Sequence, residues 1–503
     1  MPATQGGPLF LRTLLPNARL IGGEIQFASL TSDHRQVQPG DLYVAVDGIQ
    51  EDGHLFATEA VARGASAVVA ERHLPVGVPV ATVDDSRTAL GVLCQALVGN
   101  PTKSLRTIGV TGSLGKTVTS MLIASVLEAA GRPCGVLSTL GYSDSLEQQK
   151  APRTTPYAPE LAHWLARTRD AGCRDAVIEL SSRALAERRT AGVEFDIAVM
   201  TNFRREHAQW HGSLVNYRKA KERLFAQLKP NGLAVLNADD IGSQTTLESL
   251  NAPVLTFGKH IAANITAEIL ERHAGEQTIM LHAGNDSAAV CTRMIGEHHV
   301  SNCLAAATVG LALGIDLAAI ARGLEKVTYV PGRLERIECG QSFRVFVDGG
   351  RTPDSLAIAL RTARQTTTGR VICVFGCQGQ KNKELRPLMG RVAERAADLV
   401  VITSDNPRHE EPLRIAHDVI DGMERPGKPH VLPDRRAAIE WALSQARAGD
   451  AVVIAGKGDR EFHWLGSRRQ AWSDREIACQ WLYHAEEPVI LKFHRPHQLP
   501  SLS

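Results

Sequence analysis

Between Thr107 and Thr117 the chain reads Thr-Ile-Gly-Val-Thr-Gly-Ser-Leu-Gly-Lys-Thr, an apolar run broken by glycines and closed by a Lys-Thr pair that opens a helical pattern. A strand that turns over glycines straight into a helix has few architectures open to it: it belongs to a parallel sheet, and phosphates bind where such a helix begins. Gly112 and Gly115 let backbone amides turn inward, Lys116 brings a point charge to the outer phosphates, and the Thr117 hydroxyl can hold Mg²⁺. The spacing departs from the general phosphate loop, which asks for glycine at position 110, where the chain has Val110; a shorter form with glycine at 112 fits. Taken alone, the segment reads either as a nucleotide loop or as a glycine-rich turn.

A chain of 503 residues, 44% of them hydrophobic, exceeds what one hydrophobic core fills, and two to four domains are expected. Residues 1–100 hold short apolar runs, such as Asp41–Val46 and Ala67–Ala70, with one helical pattern near Phe56–Gly64, and predict a small α/β domain. From Ser104 strands alternate with longer helical patterns: a helix over Lys116–Ala130, then strands at Asp175–Leu180, Ile197–Asn202 and Leu233–Asn237. That alternation predicts a central α/β domain over 101–331, a parallel sheet with helices on both faces. A Pro-Gly break in Tyr329–Arg333 reads as a hinge. A third α/β domain over 332–490 follows, with strands at Phe343–Asp348, Val371–Gly376, Leu399–Thr403 and Ala451–Gly456, and a loosely ordered tail over 491–503.

Lys and Arg total 56 against 54 Asp and Glu, so net charge offers no reason to expect a nucleic-acid or membrane partner. Any acidic substrate has to be held by local charge. The nine cysteines are scattered without paired metal spacing and read as reduced, mostly buried thiols rather than zinc ligands. No apolar run approaches the roughly 20 residues that span a bilayer, and the first twenty residues lack a signal pattern. A cytoplasmic monomer is expected.

Further along, a series of short motifs appears in order: Asp52-Gly53-His54, Thr154-Thr155-Pro156, Glu179-Leu180-Ser181-Ser182, Thr201-Asn202-Phe203, His207, His211-Gly212, Ala220-Lys221, Asn237-Ala238-Asp239-Asp240, Pro331-Gly332-Arg333-Leu334-Glu335 and Asp405-Asn406-Pro407-Arg408. In these motifs, over some 400 residues, the chain resembles the Mur ligase family, and within it the branch that adds the third amino acid to a peptidoglycan precursor.

The resemblance implies three α/β domains with a central phosphate-loop ATPase-like domain and a Rossmann-like third domain. It implies an ATP-dependent amide ligase that adds meso-diaminopimelate to UDP-N-acetylmuramoyl-L-alanyl-D-glutamate through an acyl phosphate. Gly112, Ser113, Leu114, Gly115, Lys116, Thr117 and Val118 then hold the ATP phosphates, Asn302 the adenine, Asp348 the ribose and Arg333 the phosphates from the third domain. The Mg²⁺ ligands implied are Thr117, Glu179, His207 and a carbamylated Lys221; histidine is an unusual partner for so hard a cation, and Lys219, two residues from Lys221, faces elsewhere on the helix. For the sugar nucleotide the resemblance implies Thr154, Thr155, Ser181 and Arg189, with Ser32 and His34 toward the uracil end. For the acceptor it implies Arg386, the run Asp405, Asn406, Pro407 and Arg408, in which the arginine takes the distal carboxylate, and the backbone of Gly456.

Several positions depart from the family's wording. Leu114 stands for asparagine, Arg183 for histidine, Gly349-Gly350-Arg351 for Tyr-Ala-His, Gln380-Lys381-Asn382 for Asp-Arg-Asp, and Asp459-Arg460 for His-Glu. They leave open a paralogue that uses another amino acid or carboxylate, and a catalytically impaired nucleotide-binding pseudo-ligase.

Overall fold

The computed structural model describes residues 7–48, 51–204, 208–248, 250–259 and 263–485. His207 and the segment 491–503 lie outside the described residues. Contacts divide the chain into two compact units, Met1–Thr328 and Tyr329–Ser503.

The first unit begins with a small sheet. Its strands Leu30–Thr31, Leu42–Val44, Ala67–Ala70 and Val80–Thr82 run parallel, and Arg19–Ile21 pairs antiparallel with Val80–Thr82. The helix Ala158–Asp170, more than fifty residues further along the sequence, covers part of this sheet's core through Ala158, Ala162 and Ala166. At the helix Ser86–Leu97 the backbone comes so near Ala191 that a Cβ on Gly91 would lie 2.4 Å from its carbonyl oxygen.

Among the described residues, the central sheet has eleven strands. Its middle is parallel, with Arg106–Thr111 between Asp175–Glu179 and Phe195–Met200. These strands are buried along nearly their whole length because helices cover both faces. Leu161, Trp164 and Leu165 pack one face against Ile178, Ala198 and Leu236, while the helices Lys116–Ala129, Glu297–Ala312 and Leu317–Lys326 pack together on the other side. Each fully buried Leu or Ile contributes about 2 kcal/mol, so the loop that follows Thr111 is anchored on a rigid platform.

The alternation predicts a parallel sheet; the structure differs from this at both edges. Gly141–Ser143 and Gln148–Gln149 add antiparallel strands at one edge, and Gln277–Ala283 with Asp286–Thr292 at the other. Their signal is short-range: Gln277, Ile279 and Leu281 alternate as buried residues, and Gly284, at φ +61°, turns the hairpin.

In the second unit, Arg344–Asp348, Ala451–Ala455, Val371–Phe375, Leu399–Ile402 and His430–Val431 form a parallel sheet in that order, with Glu335–Ile337 antiparallel at the edge.

Candidate active site

The loop after the strand Arg106–Thr111 is held by its neighbours rather than by its own turns. Gly112 (φ +151°) passes so close to Thr201 that a Cβ there would lie 1.9 Å from its hydroxyl oxygen, and Gly115 (φ +83°) abuts Asn302 Oδ1, 2.3 Å from where a Cβ would sit. Only glycine fits either place. Asn202 Oδ1 accepts from the Leu114 amide at 2.9 Å, and the Leu114 carbonyl accepts from Asn202 Nδ2 at 3.0 Å and from the Thr201 hydroxyl at 2.6 Å. Thus the loop needs only backbone from Leu114, and the leucine side chain leaves its path intact. Lys116 Nζ donates to the carbonyls of Gly112 and Ser113 at 3.0 and 3.1 Å, at the start of the helix Lys116–Ala129. Val118, in its first turn, is buried.

Glu179 ends the adjacent parallel strand, opposite Val110. Its side chain is nearly sealed, at 2% exposure. The Thr117 hydroxyl lies 3.1 Å from both carboxylate oxygens, the Thr139 amide donates at 2.9 Å, and the Thr139 hydroxyl lies at 3.1 and 3.2 Å. Among the described residues this buried carboxylate has hydroxyl and amide partners and no ion pair. A carboxylate flanked by hydroxyl oxygens is what a hard divalent cation takes as ligands, so Thr117 and Glu179 fit Mg²⁺. No cluster of three or more His, Cys, Asp or Glu side chains converges elsewhere among the described residues.

From Glu179 the hydrogen bonds run on to the residues predicted for the sugar nucleotide. Thr139 Oγ1 and Thr154 Oγ1 are 3.0 Å apart, the Thr155 hydroxyl donates to the Glu179 carbonyl at 2.9 Å, and the Ser181 amide donates to Thr155 Oγ1 at 3.2 Å. Ser181 caps the helix Ser182–Ala186 by accepting from the Ala184 amide. Arg189 donates to the Thr155 carbonyl at 2.7 Å, pairs with Glu187 and lies over the Tyr157 ring. Lys116, Thr117, Glu179, Thr154, Thr155, Ser181, Arg189 and Asn302 thus sit along one edge of the sheet. Asn302 Oδ1 accepts from Thr119 at 3.3 Å.

Lys221 and Lys219 part as the helical spacing predicts: in Leu214–Glu222, Lys221 is 1% exposed and lies 4.7 Å above the Tyr217 ring, whereas Lys219 is exposed. His211 donates to or accepts from Ser182 at 3.0 Å; burial, then Lys221 and Arg223, holds its imidazole below the ordinary range. Ser32 and His34 belong to the first sheet's end of the unit, where His34 stacks on Phe56 with ring centres 4.1 Å apart and lies 3.7 Å from Glu59.

In the second unit the residues predicted for the acceptor lie on three segments: Arg386 opens the helix Arg386–Ala396, Asp405–Arg408 follow the strand Leu399–Ile402, and Gly456 follows Ala451–Ala455. Asp405 is fully buried, 3.4 Å from Lys457 and 3.6 Å from Arg351; burial raises its carboxyl, but Arg351 and Lys457 outweigh this and hold it below the usual range. Asn406 (φ +52°) accepts from the Trp464 amide at 2.8 Å, and Pro407 is buried behind it. Arg408 (φ +56°) is exposed, joined by its backbone alone to the hairpin of Phe462–Leu465 and Arg468–Ala471. The Gly456 carbonyl accepts from Arg351 Nε at 2.6 Å. Arg386 differs from expectation. At 1% exposure, it grips both oxygens of Glu410 at 2.7 and 2.9 Å, Asp418 at 2.7 Å and the Gln378 carbonyl at 2.9 Å. To meet an acceptor carboxylate it would have to release one of these. Arg333 pairs with Asp459 at 2.7 Å, and Asp348 accepts from the amides of Leu334 and Gly350 at 2.8 and 2.7 Å while burial raises its carboxyl.

Thr139, Tyr217, Glu410 and Lys457 carry much of this arrangement and escape sequence reasoning. For Tyr217 a signal exists, since it lies four residues before Lys221 on one helix face; for Glu410 none does, because its partner is 24 residues away.

Three family descriptions match in series: Mur ligase family, catalytic domain, at residues 26–96; Mur ligase middle domain at 110–310; and Mur ligase, glutamate ligase domain, at 332–458. The UDP-N-acetylmuramoyl-L-alanyl-D-glutamate--2,6-diaminopimelate ligases of Geobacillus kaustophilus and Geobacillus thermodenitrificans are each 41% identical over 465 residues, spanning 91% of this chain and 95% of theirs. A solved structure of a ligase of the same name aligns over 96% of this chain and 100% of its own, at 31% identity and a TM-score of 0.69. Among the described residues, no helix is long and apolar enough to cross a membrane.

Proposed function

This chain belongs to the Mur ligase family, and from that premise we propose that it is the ATP-dependent ligase that joins meso-diaminopimelate to UDP-N-acetylmuramoyl-L-alanyl-D-glutamate, a cytoplasmic step of peptidoglycan synthesis. The relatives' names support the substrates. One geometric observation carries the chemistry: a buried carboxylate, Glu179, bridged to Thr117 in the same loop-helix turn that holds Lys116.

In this reading a substrate carboxylate oxygen attacks the γ-phosphorus of ATP, ADP leaves, and an acyl phosphate forms. The acceptor amine then attacks the acyl carbon, loses a proton and expels phosphate. Phosphoryl transfer needs mainly positioning and positive charge. Lys116 leaves the loop carbonyls to meet the outer phosphates, beside the amides freed by Gly112 and Gly115. Thr117 and Glu179, with His207 and a carbamylated Lys221, would hold Mg²⁺, which when bound would neutralise charge at the phosphates. Asn302 borders the loop at Gly115 and takes the adenine, Asp348 the ribose, and Arg333, once released from Asp459, the phosphates. Thr154, Thr155, Ser181 and Arg189 hold the sugar nucleotide, with Ser32 and His34 toward its base. Arg408, whose guanidinium is exposed, takes the distal carboxylate of the acceptor beside Asp405, Asn406 and the Gly456 backbone.

The test is phosphate release by the purified chain with ATP, Mg²⁺ and the UDP-muramoyl dipeptide, with each candidate amino acid in turn. Release that depends on meso-diaminopimelate is expected. Equal release with lysine would assign another acceptor, and release with none would leave only a nucleotide-binding relative.

A further inference from the structure

Tyr217 ties the phosphate loop to the helix that carries Lys221. Its side chain is 1% exposed, and its hydroxyl oxygen lies 2.9 Å from Ser113 Oγ. Either hydroxyl can be the donor in that contact. Ser113 Oγ also accepts from the Arg204 amide at 2.9 Å, and the Arg204 carbonyl lies 3.4 Å from it. A hydroxyl has one proton and two acceptor positions. With Tyr217 as donor, Ser113 fills both acceptor positions and keeps its proton for an oxygen in front of the loop.

The ring is held from several sides. Phe203 and His211 each lie with ring centres 5.1 Å away, and Lys221 Nζ stands 4.7 Å over its face, one helical turn along from Tyr217. The ring therefore has little freedom to turn.

We propose that Tyr217 is a positioning residue for the nucleotide: by donating to Ser113 it aims the serine hydroxyl at a phosphate oxygen and fixes the distance from the loop to the Lys221 helix. The inference rests on the nucleotide reading of the loop given above, but Tyr217 itself touches no reacting atom.

The experiment is calorimetric titration of the full chain with Mg-ADP, alongside steady-state kinetics with ATP varied. Tyr217→Phe keeps the ring and removes the donor. It is expected to weaken ADP binding and raise the nucleotide KM about tenfold, the loss of roughly one buried hydrogen bond, with the amino-acid KM unchanged. Ser113→Ala should lose the same factor, and the double variant no more than either single. Unchanged ADP affinity in Tyr217→Phe, or losses that multiply in the double variant, overturn the inference and leave the ligase reading standing. A parent chain that binds no ADP overturns both. Should Tyr217→Phe not fold, Ser113→Thr, which keeps the acceptor oxygen, is expected to bind ADP within about twofold of the parent while Ser113→Ala does not; equal losses in the two overturn the proposal.

Discussion

Thr117 and Glu179 stand 62 residues apart in sequence, yet the threonine hydroxyl lies 3.1 Å from both oxygens of the glutamate carboxylate. Sheet topology explains the meeting. The strand Arg106–Thr111 delivers the loop and its helix, its parallel neighbour Asp175–Glu179 ends at the carboxylate, and both finish at the C-terminal edge, where ligands bind in such sheets. A buried negative charge without an ion pair is costly unless a cation joins it. That cost is the physical argument for the Mg²⁺ site proposed at Glu179.

Glu179→Gln keeps the shape and removes the charge. The turnover number is expected to fall about 100-fold, the scale of losing one preorganised electrostatic contact, and the Mg²⁺ concentration for half-maximal phosphate release to rise. A variant with the parent's Mg²⁺ dependence would separate Glu179 from the metal.

Lys116→Ala removes the side chain that reaches the carbonyls of Gly112 and Ser113. The loop is held independently by Thr201 and Asn202 through the Leu114 backbone, so the fold should hold while turnover falls at least about 100-fold. Circular dichroism and phosphate release on the same preparation check both halves. Turnover within a few-fold of the parent would remove the phosphate role from Lys116.

How far the sequence reaches depends on the distance over which each feature is decided. The strand–loop–helix at Arg106–Ala129, the parallel neighbours and the separation of Lys219 from Lys221 on their helix are set by local spacing, and the chain declares them; the burial of Lys221 is not, since alone it reads as a solvated lysine. The antiparallel edges of the central sheet are quieter, because their strands alternate on one face only and pair through a single turn. Ion pairs are quieter still. That Arg386 is already taken by Glu410 and Asp418, or Arg333 by Asp459, follows from packing between elements and leaves no periodic trace in the chain. Leu114 is the converse case: a departure in the motif that matters little to the loop's path, since neighbours bind only its backbone.

Acid should destabilise the chain through buried imidazoles. Burial, then Lys457 and Arg435, lowers His463 to about 4, and burial with His298 beside it holds His299 well below its ordinary 6.5. Between pH 6.5 and about 4 the unfolded chain binds protons that the folded chain refuses, so this stability is fully present above 6.5 and is lost as the pH falls toward 4. The melting temperature should therefore be lower at about pH 5 than at about pH 7.5, and His463→Gln and His299→Asn should each shrink that difference. An identical difference in parent and variants would show that carboxylates elsewhere set the acid limit.

Arg386, which opens the helix Arg386–Ala396, and Arg408, on the loop after Leu399–Ile402, separate stability from recognition in the second unit. Arg386 Nη1 and Nη2 are committed to Glu410 and Asp418, and the arginine holds the Glu410 carboxyl down at about 2. Truncating it strands those carboxylates, so Arg386→Ala should lose roughly 3–5 kcal/mol of folding free energy, as broken buried ion pairs do, with a smaller effect on the acceptor KM of whatever remains folded. Arg408 is exposed and fixed only through its backbone. Arg408→Ala should leave urea unfolding unchanged and weaken meso-diaminopimelate by about 2–3 kcal/mol, the range of a charge-assisted hydrogen-bonded pair. If instead Arg386→Ala unfolds like the parent and raises the acceptor KM alone, the arginine exchanges Glu410 for substrate during the reaction, and the ion-pair network is a resting arrangement rather than a structural one.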